Sequence, residues 1–371
     1  MWRPIVLLSL MGILIPIHAE TRVTVAQLRQ FLGSKSARKA TDAQLADRLG
    51  SVALSEQLTE ATLRKIHVET KLGPKATEQL DLLATTSVFG APPAAEMPAI
   101  APPDSSSQLR MINAADKFVG VTLHQLPDFL ASRETISFDN SPQVSTRRHA
   151  KPRIQLHWVR KYDREIAYRN GYELVDSASG GARPGLQPSH AGLTTFGEFG
   201  PILSLALGDA LKGSITWSRW QANTAGKRLA VFHFEVPKSV SHYLVDMCCF
   251  RKSHDDPQEL SFRDTPGYGG ELYIEPETGV IERITLEAGL PANDLVAFVG
   301  ISVQYGKVRI GERTYICPIH GVAVSRIHNP YLPSIDGIGI EEFVNEILFQ
   351  DYHKFESSSR ILTANPAAVP K

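Results

Sequence analysis

The fold is decided by the stretch from Tyr268 to Glu287, which reads YGGELYIEPETGVIERITLE. Two alternating runs meet at a Pro-Glu-Thr-Gly turn that ends at Gly279, and this pattern is typical of a β-hairpin. The apolar positions that share one face are Leu272, Ile274, Val280, Ile284 and Leu286. The polar positions Arg283, Thr285 and Glu287 share the other face. The stretch therefore predicts an antiparallel sheet that is covered on one side and solvated on the other.

Similar alternating runs surround this hairpin, and short links join most of them, so we predict an antiparallel meander. One segment interrupts the series, because Phe199, Leu203, Ala206 and Ala210 recur at helical spacing around Pro201. That spacing predicts an apolar helix over about residues 197–211. A helix that is apolar on so much of its circumference must be covered. The predicted fold class is therefore α+β, with a curved antiparallel β meander, or half-barrel, wrapped around this helix.

The preceding part of the chain is helical in character. Leu28 and Leu32 lie four residues apart, and residues Thr41 to Gln44 have the form of a capping box. Further helices are expected from Ser55 to Ile66 and from Pro74 to about Val88. We predict a small helical bundle over residues 20–89, a Pro/Ala/Ser-rich linker over 90–107 and a sheet domain over 108–356, with residues 357–371 as a C-terminal tail.

The first 19 residues have the pattern of a secretory signal peptide. A basic start at Arg3 precedes an apolar run from Ile5 to Ile15, and cleavage is expected after Ala19. A retained anchor is the alternative, but the run is shorter than the roughly 20 residues of a spanning helix. We therefore expect a periplasmic or secreted protein without a stable membrane span after cleavage. The formal net charge is zero, so no basic footprint points to nucleic acid.

Three cysteines are an odd set for an exported chain. One disulfide and one free thiol is the simplest arrangement, with Cys317 paired to Cys248 or Cys249. Neighbouring strand residues point to opposite faces, so only one of the vicinal cysteines readily meets Cys317. Three buried thiols are the alternative. The spacing contains no CxxC pair of the kind that holds zinc.

The sequence contains no recognised motif for catalysis or for metal binding. His320, His328, Asp351 and His353 do not follow a recognised metal spacing. A Gly-x-Ser-x-Gly elbow and a thiol-enzyme signature are also missing from the sequence. We therefore assign no catalytic residue, no metal and no cofactor.

The candidate ligand-binding residues lie on and around the apolar helix and are Phe199, Ile202, Leu203, Ala206, Trp217 and Phe232. Two interpretations stay open for them. They are either the packed core of the sheet or the wall of a cavity for an acyl chain.

The meander around an apolar helix, behind a signal peptide, resembles the LolA/LolB-like superfamily of periplasmic lipoprotein carriers. Residues Tyr268 to Glu287 are the stretch most similar to such proteins, and the likeness covers about Phe129 to Phe355. Residues 126–133, 197–201 and 351–355 also resemble a group of uncharacterised secreted bacterial proteins, which implies no activity. The helical N-terminus and the linker depart from the carriers, so no functional residue is carried over.

The resemblance implies a non-enzymatic binding or carrier protein whose partner is a lipid or a lipoprotein acyl chain. An envelope protein-interaction or assembly module with a fully packed core is the alternative, and a secreted hydrolase is the third hypothesis. A cavity lined by apolar side chains would favour the first. A filled core with an exposed apolar patch would favour the second, and convergent acids with perturbed pKa values the third.

Overall fold

A computed structural model describes residues 21–141, 155–175, 198–199, 201–253, 256–291, 295–329 and 339–355. The predicted signal peptide and the predicted C-terminal tail lie outside these residues. The chain divides into two compact units, and the boundary after Pro93 falls within the predicted linker. Among the described residues, the first unit contains 21–93, 328–329 and 339–340, and the second contains the remainder, with nearly all of the large sheet.

In its described residues, the first unit contains five α-helices and one pair of parallel strands. In chain order they are β1 (Thr21–Val23), α1 (Val25–Leu32), α2 (Lys35–Lys39), α3 (Asp42–Leu49), β2 (Val52–Leu54), α4 (Glu60–Glu69) and α5 (Pro74–Thr86). The capping box predicted at Thr41 is confirmed, since its side chain accepts from the Gln44 backbone while the Gln44 side chain accepts from the Thr41 backbone. The helix expected from Ser55 begins instead at Glu60, because the Thr59 hydroxyl caps it.

Long-range side-chain caps and apolar stripes hold this unit together. The Asp42 carboxylate accepts from the amides of Lys75 and Ala76 at 3.1 and 2.9 Å, so it caps α5 from another helix. Leu49 and Leu80 are fully buried in the shared apolar cluster. Each helix is too short to be stable alone, and its stability therefore depends on this packing.

The second unit is mixed α and β. Its helices are α6 (Ser105–Gln125) and α7 (Pro201–Ala210). Its strands are β3 (Phe129–Asp139), β4 (His157–Arg169), β5 (Tyr172–Val175), β6 (Ser214–Ala222), β7 (Arg228–Val236), β8 (Val245–Ser253), β9 (Asp256–Asp264), β10 (Tyr268–Ile274), β11 (Ile281–Ala288), β12 (Val296–Ile310), β13 (Arg313–Asn329) and β14 (Gly339–Lys354).

Ten of these strands form one sheet that does not close on itself, in the order β5-β4-β3-β14-β13-β12-β11-β10-β7-β6. The pairings described across this sheet are antiparallel. The strands β8 and β9 pair with each other as a separate hairpin between β7 and β10. An α+β fold with a large antiparallel sheet is thus confirmed.

The predicted hairpin is β10–β11, and its register differs from strict alternation at one point. Leu272 pairs with Ile284, which places both on one face as predicted, but a register shift after Tyr273 places Ile281 opposite Ile274. Ile281 is therefore the fully buried residue, whereas Val280 is half-buried. The prediction for Val280 was wrong because a bulge adds one residue and inverts the faces.

We call the sheet face that α6 and α7 cover the inner face. Phe232, Leu272 and Ile284 lie on it and are buried with Ala115 of α6 and Ala206 of α7. The opposite, outer face carries polar residues such as Arg283 and Thr285. Gly279 shows how closely α6 approaches the β10–β11 turn, because a Cβ atom there would lie 2.3 Å from the carbonyl carbon of Ala114.

Candidate functional site

The predicted ligand-binding residues lie on the inner face, but they divide between two apolar clusters. Ile202, Leu203 and Ala206 of α7 are buried in the larger cluster together with Phe232 of β7, and Trp217 packs against it. The structure therefore brings five of the six predicted residues into one cluster. Phe199, which precedes α7, does not join them.

Phe199 sits in a second cluster rich in aromatic rings. Its ring meets Phe129 edge-on at 5.3 Å and Phe349 edge-on at 5.2 Å, while Phe129 stacks on Tyr168 at 5.1 Å. These separations are those of favourable aromatic pairs. The prediction placed Phe199 on the same helical stripe as Leu203, but the chain has not entered α7 at this point.

A small void lies at the seam between the two clusters. It encloses about 10 Å³ and is lined by Phe118, Val119, Leu126, Phe199, Leu203, Tyr305 and Ile316. A void of this size holds one water at most. The Tyr305 hydroxyl is buried without a hydrogen-bond partner, and burial raises its pKa well above the usual value. The seam is thus an apolar contact surface with one unsatisfied polar atom.

The best-built polar centre of the second unit lies at the end of α7. Asp209 is buried, and its carboxylate accepts three hydrogen bonds. The His242 backbone amide donates to Oδ2 at 2.8 Å, and the Tyr268 hydroxyl donates to the same oxygen at 3.0 Å. The imidazole Nδ1 of His242 lies 2.6 Å from Oδ1. One carboxylate therefore joins a helix end, the loop before β8 and the first residue of β10.

The charges in this centre are set by burial and by the converging donors. Burial alone would raise the pKa of Asp209, but the hydrogen bonds from His242 and Tyr268 outweigh it and lower that pKa below its usual value. Burial and the neighbouring Asp209 raise the pKa of the Tyr268 hydroxyl. Asp209 is therefore an anion and Tyr268 a neutral donor near neutral pH.

This arrangement orients an imidazole. The carboxylate fixes which ring nitrogen of His242 faces inward, while the His242 side chain stays 65% exposed. It also ties the loop at residues 241–243 to the end of α7. Sequence reasoning missed the centre, although one signal was present, since Asp209 is the only charged residue in the apolar run from Pro201 to Leu211.

A second polar network lies on the outer face, around Arg219 of β6. Its guanidinium forms a two-pronged ion pair with Glu271 of β10, in which Nη2 lies 2.7 Å from Oε2. The Tyr273 hydroxyl donates to the same Oε2 at 2.7 Å. Burial would raise the pKa of Glu271, but the hydrogen bond and charge of Arg219, the Tyr273 hydroxyl and the charge of Arg283 together outweigh it and lower that pKa. The network joins β6 to β10 across β7, and it has the geometry of a structural clamp.

Two of the histidines considered as metal ligands each contact one acceptor instead. His320 lies 2.9 Å from the Glu346 carboxylate, and His353 Nδ1 lies 2.8 Å from the Asp351 carbonyl oxygen. In the part of the chain that the structure describes, no three His, Cys, Asp or Glu side chains are grouped to hold a metal. Cys317 is buried, and burial raises the pKa of its thiol to about 12. The side chains of Cys248 and Cys249 lie outside the description, so the disulfide stays a prediction.

Comparison with protein-family models, with curated proteins and with solved structures found no match for this chain. Within the described ranges, no helix combines the length and the apolar character that crossing a membrane requires. The functional argument therefore depends on the geometry of the two inner-face clusters and of the polar centres around them.

Proposed function

We propose that the second unit is an exported, non-enzymatic binding or carrier module for an apolar group such as a lipid or a lipoprotein acyl chain. The observation that carries this proposal is the seam on the inner face. There, α6, the entry to α7 and the strands β12 and β13 meet around an apolar void and an unpartnered Tyr305 hydroxyl. Side chains that line a void already lack partner atoms on one side, so parting them costs fewer contacts than parting side chains in the filled core.

The void cannot hold an acyl chain as it stands. Ligand pockets enclose about 300–1,000 Å³, whereas this void holds about 10 Å³. Binding therefore requires Leu203 and Phe199 to move apart, through a shift of α7 against α6. The finer architecture belongs to the same proposal, namely a half-barrel that curves around α7, a small helical bundle before it and export through cleavage after Ala19.

The test measures binding of a fluorescent long-chain fatty acid to the mature chain, alongside native mass spectrometry and lipid extraction of protein purified from its own envelope. Leu203→Ala enlarges the seam, so it should preserve or strengthen probe binding. Ala206→Phe fills the space beside the seam and should weaken it at least tenfold. Leu229→Ala is the matched control, because Leu229 is equally buried but lies in a separate cluster with Val231 and Tyr273.

An envelope interaction module with a filled core is the second candidate. The observation that favours it is the dense packing of the predicted ligand residues, since Ala206 is fully buried and Phe232 is 1% exposed. In a filled core, Ala206→Phe overpacks and destabilises by about 1–3 kcal/mol. If the wild-type chain binds no acyl probe and this variant loses stability, the carrier proposal fails and the interaction module replaces it.

A further inference from the structure

The segment from Met97 to Pro103 lies near the start of the second unit, before α6, and its sequence is MPAIAPP. Three of its seven residues are proline, which lacks an amide hydrogen and favours extended polyproline II backbone in and before it. Residues 98–104 contain no helix or strand. Carbonyl oxygens in such a segment are left without the regular partners of secondary structure and must find others.

Two side chains of the second unit supply these partners at alternate residues. The indole Nε1 of Trp220 donates to the Ala101 carbonyl at 2.9 Å. The amide Nε2 of Gln108, on the first turns of α6, donates to the Pro103 carbonyl at 2.8 Å. The segment is therefore held by two of its backbone oxygens, one bonded to a strand residue and one to a residue of the following helix.

A bulge in β6 builds the aromatic part of this site. Trp217 pairs with Phe232 and Trp220 pairs with Ala230, and the register shifts between Trp217 and Arg219. The extra residue puts two tryptophans that are three positions apart on the same face. Their rings meet edge-on at 4.8 Å, and the Arg228 guanidinium lies 4.6 Å from the Trp220 ring. Trp220 is 7% exposed, so its N–H needs a partner in place.

Four of the seven side chains of the segment are exposed, whereas Met97, Pro98 and Pro103 are half-buried. Ala99, Ala101 and Pro102 are exposed, and Ile100 is 48% exposed. Both hydrogen bonds of the site are made to backbone oxygens, so it recognises an extended, proline-stiffened backbone more than particular side chains. Aromatic grooves that recognise polyproline II peptides work in the same way, because the preformed backbone has little entropy left to lose.

We propose that Trp217, Trp220 and Gln108 form a binding site for extended proline-rich peptides, which residues 97–103 of the same chain occupy. The linker is then an internal ligand that keeps the site closed. A proline-rich segment of another protein competes for the same two donors when the linker leaves. This inference is independent of the seam that carries the acyl-binding proposal, since Trp217, Trp220 and Gln108 do not line that void.

The test in trans uses a fluorescent synthetic peptide that spans Ala95 to Ser105, added to the full mature chain and followed by anisotropy. Pro102→Gly combined with Pro103→Gly loosens the linker and empties the site, so this variant should bind the peptide at least tenfold more tightly than the wild type. Adding Trp220→Phe should abolish the gain, because it keeps a ring but removes the donor. Trp158→Phe, at an exposed tryptophan of β4, should leave it unchanged.

The test in cis measures the rate at which elastase cuts residues 97–103 of the otherwise wild-type chain. Trp220→Phe should raise this rate at least fivefold, and Gln108→Ala should raise it even if the tryptophan variant is poorly folded. Circular dichroism monitors folding in each case. Equal peptide affinity for the loosened and wild-type linkers, or cleavage rates unchanged in both donor variants, would overturn the proposal.

Discussion

Replacing Asp209 with alanine removes the acceptor of three hydrogen bonds at the end of α7. The exposed imidazole of His242 can bond to water instead, so its loss costs little. The Tyr268 hydroxyl and the His242 backbone amide lose a charged acceptor, and each such bond contributes about 1.5–3 kcal/mol. We therefore expect the free energy of unfolding to fall by about 3–5 kcal/mol.

Asp209→Asn separates the charge from the hydrogen bonds. The amide oxygen can still accept from Tyr268 and from the His242 backbone, while the amide NH₂ faces Nδ1 of the imidazole. Only the charge is lost, and we expect a cost of about 1–2 kcal/mol. Because the pKa of Asp209 is lowered in the folded state, its stabilisation is complete above the unfolded-state value of about 3.9 and disappears as the pH falls through the folded pKa. The gap between wild type and Asp209→Asn should therefore close below about pH 4.

Urea unfolding of the mature chain, followed by tryptophan fluorescence at pH 7 and in steps down to pH 3, measures both effects. Asp246→Ala is the control, because Asp246 is half-exposed and its ion-pair partner Arg263 lies 3.6 Å away at the surface. That variant should cost less than about 1 kcal/mol. A cost for Asp209→Ala equal to that of the control would refute the buried-acceptor reasoning.

Three further predictions test other parts of the structure. Gly279→Ala should lower the free energy of unfolding in urea by about 2–5 kcal/mol, because φ is +74° and the new Cβ meets Ala114 of α6. Gly226 is the control, since its φ is also positive but a Cβ there meets no atom. An equal loss for Gly226→Ala would show that backbone strain alone causes the effect. Glu271→Gln should lower the free energy of unfolding by about 2–4 kcal/mol, because it leaves Arg219 partly unpaired. A loss below about 1 kcal/mol, as for an exposed ion pair, would contradict a structural role for this network. Cys317 should resist alkylation at pH 8 in the folded protein, because it is buried and the pKa of its thiol is raised to about 12. Mass spectrometry of alkylated protein, denatured without reduction, counts the free thiols. One thiol is expected if Cys317 pairs with Cys248 or Cys249, and three thiols would exclude the bridge.

Local patterns in the sequence were enough to place several elements of this protein. The alternation in Tyr268 to Glu287 identified the β10–β11 hairpin, and the Thr41 capping box marked the start of α3. The apolar spacing around Pro201 located α7 to within a few residues. These features depend on interactions between residues that are a few positions apart, so the sequence contains all the partners involved.

Bulges and sheet order were decided only by the tertiary structure. Alternation predicted Val280 on the inner face, but the register shift after Tyr273 puts Ile281 there instead. The register between β12 and β13 also shifts between Gln304 and Tyr305, which leaves Ile319 of β13 as the extra residue. A single inserted residue inverts every later side chain, and its position depends on the partner strand.

The candidate sites depended on the tertiary structure even more. Asp209 and His242 are 33 residues apart, and the Trp220 donor is 119 residues from Ala101. Such pairs leave no periodic signal along the chain, because they form only when the strand order and the helix packing bring distant segments together. The sequence by itself thus determined which residues were apolar, stiff or charged, and the packing of the sheet against α6 and α7 decided which of them met.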